Sequence, residues 1–339
     1  MLPARRAGED ESLGAFVRRR MGPEMLERLV GPLLSGIHST EADKLSLQAT
    51  FPLFAELERS HGSLIRGLRS RRARRERHPS ATSPRVSLKS GLEDLVTALV
   101  ARLEEDGARM LPGRPVRSLT PRGTGAWRVD LEDGETLVAD AVVLATPARA
   151  AAGMLEKTRP RLAWELRQLR ATTTVTVSLA YPAAHLPRPL DAYGFVVPRT
   201  EDRWITACTY TSTKLGHRCP SDHVLLRAFL GGPDDDQGLG FGHHVDDHEM
   251  VRRVREDLED VLGLTARPTT AEVRRFAGGS PQYEVGHAER VARLEEMTGG
   301  GLALAGCAYH GVGIPDCIAS GERAARRLAE RYAQRSKAT

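Results

Sequence analysis

The sequence of 339 residues has few aromatic side chains, few cysteines and no long apolar run. Aromatic residues make up 5% of the chain and no nucleic-acid-binding motif accompanies them, so the composition disfavours a nucleic-acid partner. The four cysteines form no C-x-x-C pair and follow no secretory signal, which predicts buried thiols in a reducing cytoplasm. Because no run of about 18 apolar residues occurs, the sequence predicts no membrane-spanning helix.

A further absence is the pattern G-x-G-x-x-G, in which glycines and a helix N-terminus bind the pyrophosphate of a dinucleotide. Three glycine pairs begin this pattern, but the third glycine is replaced in each case, by Arg128, His243 or Asp316. The sequence therefore predicts that this chain lacks the dinucleotide-binding βαβ unit that such a pattern marks.

The sequence is moderately basic, with a formal net charge of +5 at pH 7. Much of this charge comes from the arginines between Arg66 and Arg77. We predict a basic loop at residues 69–84, because almost nothing there is apolar. A solvated loop is the simpler interpretation, and contact with anionic lipid or an acidic substrate is the alternative.

We predict four segments, at residues 1–85, 86–155, 156–285 and 286–339. The first is helical: Ser12 caps a helix that breaks near Gly22, and a second helix ends at Gly31-Pro32. The second begins with a helix whose apolar residues recur every three or four positions, namely Leu92, Leu95, Val96, Leu99 and Leu103. Four short strands follow it, at Pro115–Leu119, Ala126–Leu131, Glu135–Val138 and Ala141–Ala145. The third segment is rich in β-strands from residue 172 to 232 and again from Ala271 to Phe276.

A cluster of histidines and aspartates within residues 240–250 suggests a metal site at first sight, with His243, His244 and His248 as ligands. A helix start explains the same residues better. Asp246 followed by Glu249 forms a capping box, and an apolar helical face comes after it. We therefore predict no metal.

The fourth segment contains a strand, a glycine-rich turn and a helix start. Leu302 to Ala305 are apolar throughout, as in a strand buried on both faces. Gly306, Gly311 and Gly313 mark a turn, and a helix follows from Pro315. Free N–H groups and the helix dipole make such a helix start suitable for an electron-rich group.

The string AGCAYHGVGIPDCIASG in this turn closely resembles the C-terminal flavin-binding signature of the oxygen-dependent protoporphyrinogen/coproporphyrinogen oxidases, in the flavin amine-oxidase superfamily. A second string, from Glu11 to Leu68, resembles the same family's helical region beside the substrate chamber. A third, Pro281-Gln282-Tyr283 with Gly286-His287, resembles its return to the flavin domain. Ala288 is a departure, because some members carry a tryptophan beside the flavin there.

The resemblance implies an α+β or α/β fold with three parts. These are an incomplete two-piece FAD-binding domain like that of glutathione reductase, a mixed β-sheet substrate domain and a small helical subdomain. It also implies site residues. Those expected at FAD are Val116, Thr146, Gly306, Val312, Gly313 and Ile314. Those expected at the substrate are Val196 and Leu215. The resemblance gives no catalytic acid or base. An ordinary core position is the alternative for Val116, Val196 and Leu215.

The function implied is FAD-dependent oxidation of protoporphyrinogen IX or coproporphyrinogen III to the porphyrin, in haem biosynthesis, with oxygen as electron acceptor. The resemblance also implies a cytoplasmic protein with peripheral contact to the inner face of the membrane, and a homodimer stays open. Two alternatives stay open as well. One is a flavin-less tetrapyrrole-binding or haem-handling protein derived from the oxidase. The other is a different flavoenzyme of the superfamily, such as a carotenoid desaturase or an amine oxidase.

Overall fold

The computed structural model describes residues 10–38, 41–77, 86–123, 125–231 and 244–338. The fold is mixed α/β, and its large buried side chains form three main hydrophobic clusters. One lies among the N-terminal helices, one beneath a five-stranded sheet, and one between a three-stranded sheet and the helices that follow it.

The N-terminal region is helical. Its helices are α1 (Leu13–Met21), α2 (Pro23–Met25), α3 (Gly31–His38), α4 (Leu47–Thr50), α5 (Pro52–His61) and α6 (Leu64–Arg77). As predicted, the Ser12 hydroxyl caps α1, accepting a hydrogen bond from the N–H of Ala15 at 3.1 Å. Phe16 and Val17 of α1 are buried in the local core.

The prediction that a helix ends at Gly31-Pro32 is wrong, because a π-helical turn, Leu26–Val30, joins α2 to α3. The N–H of Gly31 donates to the carbonyl of Leu26, five residues earlier. A Cβ at Gly31 would lie 2.6 Å from that carbonyl oxygen, so glycine permits the wide turn. Pro32 directly follows this turn, within the continuous helical run from Pro23 to His38.

The predicted basic loop at 69–84 is wrong over its first part, because residues 69–77 belong to α6. Arginine, alanine and glutamate favour helix formation, so a segment without apolar residues still continues the helix. Gly67 provides close contact with α5, where a Cβ would lie 2.8 Å from Leu57. Residues 78–84 lie outside the described part of the chain.

The second segment contains the predicted helix, the predicted strands and one further helix, α8, and another helix, α9, opens the third segment. These elements are α7 (Glu93–Glu105), β1 (Val116–Pro121), β2 (Trp127–Leu131), β3 (Thr136–Ala139), β4 (Val142–Leu144), α8 (Ala148–Leu155) and α9 (Pro160–Arg167). The first three strands form the predicted antiparallel meander. Trp127 is fully buried, and its Nε1–H donates to the carbonyl of Gly300 at 2.8 Å, which joins this meander to the C-terminal segment. The predicted apolar stripe of α7 is largely exposed: Leu92, Val96, Leu99 and Leu103 each keep at least 44% of their accessible surface.

The third segment forms one antiparallel sheet in the order β6-β7-β8-β5-β9. Its elements are β5 (Ala171–Pro182), β6 (Gly194–Val196), β7 (Ala207–Tyr210), α10 (Thr211–Lys214), β8 (His223–Gly231), α11 (Asp247–Leu262) and β9 (Thr270–Pro281). The strand pattern is compatible with a mixed or an antiparallel sheet, and the structure has the antiparallel one in every pair of neighbouring strands; the mixed sheet implied by the resemblance is therefore wrong. Alternate residues of β5, such as Val175 and Val177, are buried against α11, and the opposite face is free to form a binding surface.

The C-terminal segment contains α12 (His287–Met297), β10 (Leu302–Leu304) and α13 (Ile314–Ala338). The predicted apolar strand pairs in parallel with β4, with Leu304 beside Leu144. Ala324 of α13 packs against this strand. None of the described helices is both long and apolar enough to cross a membrane.

Candidate cofactor and substrate site

The chain between β10 and α13, residues 305–313, forms the bend predicted from the glycines, and we call it the glycine bend. Gly306 (φ 111°) and Gly311 (φ 137°) adopt backbone conformations that side chains disfavour. The N–H of Gly306 donates to Ser320 Oγ at 3.1 Å, and that of Gly313 donates to Asp316 Oδ2 at 3.2 Å. Side chains of α13 therefore hold the bend from one side.

Tyr283 holds the glycine bend from the other side. Its hydroxyl donates to the carbonyl of Cys307 at 2.6 Å and accepts from the N–H of Gly311 at 2.7 Å. These two bonds join the two ends of the bend through one oxygen atom. Burial raises the pKa of Tyr283 to about 12, against the opposing effect of the Gly311 N–H, so the hydroxyl keeps its proton at neutral pH.

His287 completes this support. Its ring stacks on that of Tyr283, with centroids 4.0 Å apart and planes 16° from parallel. Its Nε2 lies 2.9 Å from the carbonyl oxygen of Tyr309, where the neutral ring donates a hydrogen bond to the bend. Burial lowers the pKa of His287, which favours that neutral form.

The outer surface of the glycine bend is open. Val312 and Ile314 are 48% and 45% exposed, directly before and at the start of α13. Val312 and Cys307 line a cavity of about 910 Å³. A helix N-terminus beside open space suits a flat electron-rich ring such as isoalloxazine. The bend is therefore open on the Val312 side, whereas the Asp316 carboxylate lies against Gly311 on the other side.

The opposite wall of the cavity is the free face of the five-stranded sheet. Thr174, Thr176 and Phe229 lie on this face, and Leu33 of α3 closes another side. Val196, predicted at the substrate, is one of the lining residues, whereas Leu215 is not and its neighbour Lys214 is. The cavity thus lies between the glycine bend and the predicted substrate sheet.

The remaining predicted cofactor residues fall into two places. Thr146 follows β4 and is exposed, and Gly306 follows β10, so both lie at the carboxyl edge of the parallel pair. A Cβ on Gly306 would lie 3.8 Å from the carbonyl oxygen of Ala145, which shows how closely these turns approach. Val116 begins β1 and packs, partly buried, against the core beside β4.

The predicted helix cap at Asp246 is confirmed, since its carboxylate accepts from the N–H of Glu249 at 2.8 Å. The reciprocal bond of a capping box does not form, because the Glu249 carboxylate accepts from Arg252 and Arg253 instead. No cluster of potential metal ligands occurs within the described ranges. His243 lies outside them.

Comparison with known proteins identifies the family. A family model described as flavin containing amine oxidoreductase matches residues 1–329. The chain belongs to this family. The flavin predicted from the glycine bend is the cofactor that gives the family its name.

Similar proteins include the coproporphyrinogen III oxidase of Bacillus subtilis (strain 168), 36% identical over 330 residues, covering 96% of this chain and 68% of that protein. The human protoporphyrinogen oxidase is 30% identical over 328 residues, covering 93% of this chain and 68% of that protein. A crystal structure from Exiguobacterium sp. 255-15, provisionally named protoporphyrinogen oxidase, matches with a TM-score of 0.76 and 35% identity, covering 93% of this chain and 66% of that chain. The predicted resemblance is thus confirmed, and the chain spans about two thirds of the length of these relatives.

Proposed function

We propose that this chain carries out FAD-dependent oxidation of a porphyrinogen, coproporphyrinogen III or protoporphyrinogen IX, to the porphyrin. The relatives at 30–36% identity carry the names of these two oxidases. The observation that carries the proposal is that Val312, the exposed part of the glycine bend, lines a cavity of about 910 Å³ together with Cys307. A cofactor on the bend would therefore face a substrate in the cavity.

The proposed FAD-binding domain has two pieces, residues 86–155 and 286–339. The parallel pairing of β4 with β10 supports this, because it joins the two segments in one sheet. In the same proposal, residues 1–85 and 156–285 supply the helical and β-rich walls of the substrate chamber. The cavity lining agrees with it, since α3 and the five-stranded sheet both contribute to it.

The proposed contacts to the isoalloxazine ring are the main chain of Val312, Gly313 and Ile314. The proposed contacts to the rest of the FAD molecule are Gly306, Thr146 and Val116. Bound FAD supplies the two-electron oxidation, with oxygen as the proposed final acceptor. The residues of the chain bind the cofactor and the substrate and orient them towards each other. The N-terminus of α13 would favour negative charge on the bound ring, and Val196 with the sheet would hold the substrate beside it. No side chain is assigned as acid or base.

Peripheral contact with the inner face of the cell membrane is a further part of the proposal, and it rests on the arginine-rich helix α6. Flotation with anionic liposomes at low and high salt tests it, because a contact made by charge weakens as salt rises. A homodimer is the proposed oligomeric state, and light scattering on the purified chain tests it.

Anaerobic mixing tests the proposed reaction. Flavin-loaded protein mixed with coproporphyrinogen III or protoporphyrinogen IX should lose its yellow flavin absorbance, and the already oxidised porphyrins should leave it unchanged. Replacing Val312 by tryptophan should slow the loss, because it fills the cavity beside the bend. Val138→Trp, at an exposed valine of β3, is the control. Unchanged absorbance of flavin-loaded protein with both porphyrinogens would contradict the proposal.

A further inference from the structure

Two half-buried cysteines belong to the glycine bend and to the helix that follows it. Cys307 lies in the bend and lines the cavity. Cys317 lies in the first turn of α13, where its N–H donates to the carbonyl of Gly313 at 2.9 Å. All four cysteines of the chain are free thiols, and only Cys208 is buried. Both members of the pair are therefore accessible to a small solute.

The chain that enters the bend runs alongside α13 in the opposite direction, and this arrangement brings the two cysteines together. Ala324 of α13 packs against β10. One turn nearer the start of the helix, Ser320 Oγ accepts from the N–H of Gly306 at 3.1 Å. The next residue on that helical face is Cys317, and the next residue of the bend is Cys307. In agreement with this order, the two thiols lie within hydrogen-bond distance of each other.

The far end of the bend folds back onto the same helical turn. A Cβ on Gly311 would lie 2.5 Å from Cγ of Asp316, the residue before Cys317. The Tyr283 hydroxyl bonds both to the N–H of Gly311 and to the carbonyl of Cys307. Cys307 and Cys317 are thus held together by the fold from two directions. Two thiols held in contact meet the geometric requirement for a disulfide.

We infer that Cys307 and Cys317 are a redox-modification site, which hydrogen peroxide converts to a disulfide that fastens the glycine bend to α13. Peroxide transfers one oxygen atom to the Cys307 sulfur, which leaves a sulfenic acid and a molecule of water. The Cys317 sulfur then attacks the sulfenic sulfur. As the S–S bond forms, the S–O bond breaks, and the hydroxyl group leaves with the Cys317 proton as a second water. The two thiols lose two electrons, and the peroxide gains them.

The position of Cys307 at the cavity makes it the first of the two thiols to meet peroxide formed there, because Cys317 is not among the lining residues. Oxygen that accepts two electrons and two protons becomes hydrogen peroxide. This source of the oxidant rests on the proposed function, in which oxygen is the final acceptor. The site itself does not, since added peroxide serves equally well.

Peptide mass spectrometry of the purified chain tests the inference without flavin or porphyrinogen. Burial raises the pKa of the Cys317 thiol, and Cys307 and Asp316 raise it further, so the reduced protein is treated with hydrogen peroxide at about pH 8. Remaining thiols are then alkylated and the chain is digested with trypsin. One tryptic peptide, Leu294–Arg323, contains both cysteines. It should resist alkylation, be lighter by two hydrogen atoms, and accept two alkyl groups after reduction.

Three controls separate a site made by the fold from general thiol oxidation. Cys317→Ser should leave Cys307 oxidised by oxygen addition, without the loss of two hydrogen atoms. Cys219→Ser removes another half-buried cysteine, which lies in a different tryptic peptide, and should form the crosslink at the wild-type rate. Wild-type protein unfolded in urea before the peroxide is added should form it about tenfold more slowly, because folding no longer holds the thiols in contact.

Urea denaturation measures the effect of the crosslink on the fold. A disulfide that closes a loop of roughly ten residues lowers the equilibrium constant of unfolding by up to about a hundredfold. Oxidised wild-type protein should show a decrease of at least about tenfold relative to the reduced protein, and peroxide-treated Cys317→Ser should show none.

Four results would overturn the inference. They are a disulfide that involves Cys208 or Cys219 in place of this pair, oxygen addition at Cys307 with Cys317 still free, equal rates in folded and unfolded protein, and equal unfolding constants for the oxidised and reduced forms. Each would leave the proposed function intact, because the anaerobic absorbance assay contains no peroxide. Unchanged flavin absorbance in that assay, with the crosslink formed as expected, would overturn the proposed function alone.

Discussion

Replacing Tyr283 by phenylalanine removes one oxygen atom and, with it, both hydrogen bonds from this side chain to the glycine bend. The aromatic ring, its burial and its stacking on His287 are retained. An intramolecular hydrogen bond contributes a net 0.5–1.5 kcal/mol, so losing two costs about 1–3 kcal/mol. The carbonyl of Cys307 and the N–H of Gly311 lose their common partner, so we expect the bend itself to loosen.

Urea denaturation and flavin titration measure the two parts of this effect. The free energy of unfolding should fall by about 1–3 kcal/mol. FAD binding, followed by flavin fluorescence, should weaken by about tenfold if 1.4 kcal/mol of the loss is local to the bend. Tyr309→Phe is the matched control. Tyr309 belongs to the same bend and is only 3% exposed, but its hydroxyl has no hydrogen-bond partner among the described residues. Indistinguishable results for the two variants would refute the role assigned to the Tyr283 hydroxyl.

Three further predictions concern stability. Because burial lowers the pKa of His287 below 6.5, its contribution is present above that pH and is lost as pH falls. The free energy of unfolding in urea should be lower at about pH 5.5 than at about pH 7.5, and His287→Gln should make this difference smaller. An equal difference in both proteins would contradict the prediction. Glu58→Gln should lower the free energy of unfolding by about 3 kcal/mol, because the Glu58 carboxylate is buried between two arginines. Asp43→Asn should lower it by less than about 1 kcal/mol, because the ion pair of Asp43 is half exposed. Equal midpoints of denaturation would show that burial does not matter here. Gly194→Ala should cost about 2–3 kcal/mol, since its φ is 144° and a Cβ would collide with the neighbouring strand. Gly153→Ala, on an exposed helical turn with open space around it, should be neutral or stabilising, and similar thermal midpoints for the two would contradict the steric argument.

The strands could be predicted from sequence because their signals are local. Alternation along β5 and the apolar run of β10 each depend on neighbouring residues, and both strands form where expected. The glycine bend could be predicted for the same reason, since Gly306, Gly311 and the following helix start lie within a few residues. Its openness to a cavity required the structure.

The wrong predictions arise where local preference and wider context disagree. Gly31-Pro32 looked like a helix end, but the π-turn uses the glycine for its close approach to Leu26, and the proline follows within the continuous helical run. Residues 69–77 looked like a loop because they lack apolar side chains. Arginine-rich sequences nonetheless form helices when a preceding turn already packs, as Gly67 does against Leu57.

The residues that support the candidate site were beyond sequence reasoning for a different reason. Tyr283 and His287 belong to a short motif that resembles the family's, but nothing local links that motif to its partners in the bend, which lie 22–28 residues further along the chain. The link is made in space, by one hydroxyl bonded to both ends of the bend and one imidazole donating to its middle. The glycines permit the unusual backbone, but they add to the chain's freedom when unfolded and do not by themselves hold the bend in one conformation. Two buried side chains from an earlier part of the chain supply that restraint. A loop able to bind a rigid ring by main-chain contacts therefore depends on partners distant in sequence, and the Tyr283→Phe and Tyr309→Phe pair measures that dependence directly.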